Sequence, residues 1–130
     1  MTIPTDRQVY ETDLSTMWID DDGILCSVAK KSVPLSMHRL KNVYTIVNEI
    51  TNGKKICSLT EMTNVSSGSS DIREYAKTEM EKFTKALALI GRSNLSVMIG
   101  NVFLGLHRPS FPIKMFVDSE EAKEWLKQYL

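Results

Sequence analysis

The chain has no apolar run approaching the roughly 20 residues that a membrane-spanning helix needs, so no membrane insertion is expected. Its opening stretch, "MTIPTDRQVYETD", lacks the apolar core of a signal peptide. It has no charge of one sign in excess, since sixteen basic residues balance sixteen acidic ones. Nucleic acids and anionic membranes attract a basic surplus, so neither is expected as a partner. Only two cysteines occur, Cys26 and Cys57, both inside β-prone runs. They read as buried reduced thiols rather than a disulfide framework, which points to a cytoplasmic protein. Only two histidines occur, His38 and His107, and neither has cysteine or carboxylate neighbours at metal-ligand spacing. No G-x-G-x-x-G, P-loop or G-x-S-x-G pattern is present. These absences argue against an enzyme, a metal and a cofactor.

What remains is an ordinary globular composition, 42% apolar and 25% charged over 130 residues. That suits one domain with one core. The domain is expected to run from residue 9 to 130, with 1–8 as a flexible tail. Two strand-like runs, one with Leu14, Thr16 and Trp18 and the other with Ile24, Cys26 and Val28, flank Asp21-Asp22-Gly23. Asp and Gly supply the positive φ of a tight hairpin, with one face of the pair buried. The "DDD" reads as a solvated turn rather than a calcium loop. Leu40, Val43, Tyr44, Val47 and Ile50 recur at helical spacing between Ser36 and Asn52-Gly53. A short strand, "KKICSLTEM", follows.

A second helix carries Ile72, Tyr75, Ala76, Met80 and Phe83 on one face, capped by Ser70 or Asp71. "TKALALIG" is ambiguous alone, but a fresh helix start at Ser93-Asn94 makes it an isolated apolar run between helices, hence a buried parallel strand. Leu95, Met98, Ile99, Val102, Phe103 and Leu106 make a third helical stripe, ended by Pro109 and Pro112. "IKMFV" is a strand, and "DSEEAKEWLKQYL" a last helix started by Asp118, with Ala122, Trp125, Leu126 and Tyr129 inward. The expected fold is α/β: an N-terminal β-hairpin, then alternating helices and strands, giving a mixed, mostly parallel sheet covered by four helices.

On this order of elements the chain resembles the SpoIIAA-like domains of the STAS superfamily, in their uncharacterised bacterial branch. The resemblance rests on Ile99, Asn101, Phe103, Leu104, Leu106, Arg108, Pro109, Pro112 and Phe116, and on Glu120, Glu121, Ala122, Trp125 and Leu126. It covers roughly residues 10 to 130, and these are packing and turn positions, which specify fold before activity. Signalling members of the superfamily are phosphorylated on a serine in an Asp-Ser-Ser-Gly-like loop. "VSSGSSD" stands at the equivalent place, with Val65 where those members have Asp. The resemblance thus marks Ser66, Ser67 and Gly68 as a candidate switch loop.

Two arginines, Arg73 beside that loop and Arg108 in "HRP", are candidate anion contacts. The third helix is apolar on more than one stripe, so Met98, Val102, Phe103 and Leu106 are candidates for an interface or a ligand lining. The expectation is a non-enzymatic interaction module that docks a protein partner or a second copy of itself as a homodimer. The alternative is a carrier of a small apolar or lipid-like ligand, because SpoIIAA-like domains also resemble lipid-binding CRAL-TRIO folds in outline.

Overall fold

The structure is a computed structural model that describes residues 1–61, 69–94, 98 and 109–130. Among the described residues six strands form one sheet in the order β1-β2-β3-β4-β5-β6. They are β1 (Tyr10–Glu11), β2 (Ser15–Ile19), β3 (Leu25–Ala29), β4 (Ile56–Glu61), β5 (Thr84–Ile90) and β6 (Ile113–Phe116). The first three pair antiparallel; β3 through β6 pair parallel. Among the described residues three helices accompany them: α1 (Met37–Thr51), α2 (Ser70–Phe83) and α3 (Ser119–Leu126), the last running into a 3-10 turn over Lys127–Tyr129. Of the four helices expected, the one through 95–106 falls largely outside the described residues. No helix among the described residues is long and apolar enough to cross a membrane.

The β2–β3 hairpin forms as its residues dictate. Asp20 Oδ1 accepts from the amides of Asp22 and Ile24, each at 2.9 Å, and Gly23 takes φ +82°. The short carboxylate mimics a backbone acceptor, and glycine meets no Cβ penalty there. Residues 1–8 contain no helix or strand. Arg7 nonetheless reaches the hairpin, donating to Ile19 O at 3.0 Å and to Asp21 Oδ1 at 2.8 Å. The amino group of Met1 lies 2.6 Å from Glu61 Oε2.

α1 begins where Ser36, in extended conformation, accepts from the Arg39 amide, and ends with Asn52 at φ +55° followed by Gly53 at +76°. α2 begins one residue before the expected cap. Ser69 stands at the boundary, with no side-chain cap bond, and Ser70 already lies in the helix. A cap must hold extended backbone, so neither Ser70 nor Asp71 can serve. Asp71 instead sits in the first turn, where its charge faces the positive end of the dipole. At the other end α2 passes straight into β5: Phe83 is helical and Thr84 is extended at φ −105°, ψ 119°.

The sheet is covered on both sides, which corrects the expectation that the hairpin buries a single face. Thr16, Met17 and Trp18 of β2 are all buried. Trp18 packs with Cys26, Cys57, Leu59, Ala86, Ala88 and the α3 residues Ala122 and Leu126. Met17 and Leu25 face the opposite way, toward Val47 of α1 and Phe83 of α2. Layers of helix, sheet and helix result, with α1 and α2 on one side and α3 on the other.

Candidate functional site

Among the described residues a cavity opens on the α1/α2 side of the sheet. Period-two alternation aims Ser15 and Met17 of β2, Leu25, Ser27 and Ala29 of β3, and Ser58 and Thr60 of β4 toward α1 and α2. In the ladder Ser15 pairs with Ala29, Leu25 with Ser58, and Ser27 with Thr60. The middle of this face therefore carries small side chains where a packed sheet would carry branched ones. Tyr44, Val47 and Phe83 pack between the helices and the sheet on this side and line the space. Tyr44 stacks on Phe83 at 6.4 Å and meets Tyr75 edge-on at 6.2 Å.

The space left is an apolar cavity of about 370 Å³ between the sheet and the two helices. Its helical wall includes Leu40, Val43 and Met80, and Leu87 and Leu89 of β5 continue its floor. This size lies in the range of small-molecule sites, roughly 300–1,000 Å³. The polar groups on the floor are hydroxyls. Ser15 is engaged with Thr12 at 3.0 Å. Among the described residues the hydroxyls of Ser27, Ser58 and Thr60 have no hydrogen-bond partner.

Among the described lining residues charge is nearly absent. Lys30 is the ionic residue among the described lining residues, and it is already committed. Its Nζ donates to Thr12 O at 2.6 Å and lies 3.1 Å from Glu11 Oε2. The bond from Lys30, helped by Thr16, holds the Glu11 carboxyl below the usual carboxylate range. Burial, and then the nearby Glu79 charge, pushes the Tyr44 phenol up, so it stays neutral.

The residues singled out from sequence lie elsewhere. Ser66, Ser67, Gly68, Val102, Phe103, Leu106 and Arg108 are outside the described residues. Arg73 is exposed in the first turn of α2. Met98 is a surface side chain, 59% exposed. No group of His, Cys, Asp and Glu able to hold a metal occurs among the described residues. Both thiols sit on the α3 side, free and buried, and burial pushes Cys26 up to about 11 and Cys57 in the same direction. Thiols so protonated are poor nucleophiles. Sequence reasoning missed the cavity. The available signal was the recurrence of Ser and Ala at the inward positions of adjacent strands.

Comparison with known proteins fits this geometry. The profile of a domain family, "Domain of unknown function (DUF7793)", matches residues 17–130. No curated protein matches the chain. Among solved structures, an uncharacterised DUF3478-family protein from Shewanella loihica PV-4, described as having a SpoIIAA-like fold, superposes with a TM-score of 0.64. The two are 20% identical over 90% of this chain and 98% of that one. A protein of unknown function from Arthrobacter sp. FB24 aligns over 86% of this chain and 92% of its own at 19% identity, with a TM-score of 0.29 on which nothing rests. The Shewanella likeness establishes the fold: a SpoIIAA-like α/β domain.

Proposed function

We propose, from the premise that the chain belongs to the DUF7793 family of domains of unknown function, that it is a non-catalytic binding module for a small apolar ligand. The observation that carries this reading is the cavity of about 370 Å³ between the sheet and α1/α2. A core built only for stability fills such a volume, because each missing contact forfeits dispersion energy. Here serines and an alanine occupy the positions that leucine or valine would fill. The reading as a non-enzyme draws on the same site: no described lining residue pairs a nucleophile with a base. Free thiols suit a reducing, cytoplasmic setting.

The test is a fluorescence titration with the neutral probe N-phenyl-1-naphthylamine. The expected result is saturable enhancement at one probe per chain, abolished by Ser58→Leu, which puts an isobutyl group into the cavity. Absence of saturable binding by the folded protein sinks the proposal.

Docking of a protein partner, or of a second copy, is the second reading. It draws on Met98, whose side chain is 59% exposed within a strongly apolar stretch of sequence. Native mass spectrometry separates the two. A retained small-molecule adduct on a monomer favours the cavity, and a bare dimer favours docking.

A further inference from the structure

Resting on the ligand-binding reading, we infer that the ligand is an uncharged amphiphile: an apolar body with a single hydrogen-bonding oxygen, such as a medium-chain alcohol or ketone. Three hydroxyls decide this. Ser27 and Thr60 are ladder partners on adjacent strands, and Ser58 lies two residues before Thr60 on the same face. Adjacent strands run about 4.8 Å apart and alternate residues about 6.6 Å apart. The three hydroxyls thus form one compact patch on a floor whose other hydroxyls are Ser15, engaged with Thr12, and Thr84 at the start of β5. None of the three has a partner among the described residues.

A pure hydrocarbon would cover this patch and leave three polar groups dry, which is costly. An ionised carboxylate would need a cation to offset its desolvation. The only cation among the described lining residues, Lys30, is held by Glu11 and by Thr12 O, outside the hydroxyl patch. Glu11 is itself a carboxylate, ionised more readily than usual because of that bond, so the pair offers no uncompensated positive charge to a second anion. A neutral oxygen both accepts from a hydroxyl and brings no charge to bury.

The experiment displaces N-phenyl-1-naphthylamine with 1-decanol and with decanoate, at pH about 8 where the acid is ionised. Decanol is expected to displace the probe at a concentration at least about tenfold lower than decanoate, a discrimination of the size that one unpaired buried charge imposes. In the Ser27→Ala/Thr60→Val variant, the affinity of decanol relative to that of the probe, both measured on the variant, should fall about five- to tenfold, since only decanol uses the polar patch. Decanoate competing as well as decanol, or a relative affinity unchanged in the variant, overturns the inference while leaving the binding module in place. A folded protein that takes up no probe overturns both.

Discussion

Cys26 has no exposed surface, and burial, followed by the charge of Asp20, lifts its thiol from 9.0 to about 11. Two outcomes follow at the scale of this residue. Native protein should react negligibly with Ellman's reagent near neutral pH, and denatured protein should release two thiols per chain, Cys26 and Cys57. Fast stoichiometric labelling of the native state would show that a strand opens. The second outcome concerns alkaline stability. Below about 9 both folded and unfolded thiols are protonated, so the contribution is fully present. Above that value the unfolded thiol ionises first, and the contribution is lost as pH rises through about 11. The stability difference between wild type and Cys26→Ala should therefore narrow by about 2–3 kcal/mol over that window, at about 1.4 kcal/mol per unit. Urea midpoints at a series of pH values measure it, and a constant difference would refute it. Asp20 is a residue of the same neighbourhood with a structural task. One oxygen ties the hairpin, while the other, buried and without a hydrogen bond, lies 3.3 Å from Lys123 Nζ of α3.

At the scale of elements, the two helix starts make a matched comparison. Ser36→Ala removes a cap bond from side chain to amide and should cost about 1 kcal/mol. Ser69→Ala removes no such bond and should cost nearly nothing. Equal losses in thermal denaturation would mean that the caps do not differ. Most elements were legible because their signals are strong: the stripe from Leu40 to Ile50, the Asn52-Gly53 stop, and Asp118, which accepts from the Glu120 amide. The run "TKALALI" was readable as a strand although no turn residue separates it from α2. β-rich neighbours on either side, rather than anything within it, made it extended. β1 was not legible. Two residues show no periodicity, and Tyr10 and Glu11 are strand only because Met17 and Thr16 pair with them.

At the scale of the whole molecule, the cavity was hidden for a reason rooted in alternation. A serine within a strand reads as the solvent-facing half of a period-two pattern. Ser27 and Ser58 instead share a face with Leu25 and Leu87, beneath α1 and α2. Only the register reveals that the small residues of β2, β3 and β4 fall side by side. Ser58→Leu discriminates a void from a packed core. In a packed core the larger side chain costs about 1–3 kcal/mol. Here it enters open space, and the melting temperature should hold or rise. A marked drop would show that the space is needed by its neighbours.

The sheet order repeats the order of the chain, so every strand pairs with the one made just before it. When β4 leaves the ribosome, β3 is already waiting; when β5 follows, β4 is in place. Each new strand meets a partner already made, and the crossovers from β3 to β4 and from β4 to β5 each span a single helix. Assembly can thus advance from one edge in step with translation, the hairpin serving as the seed.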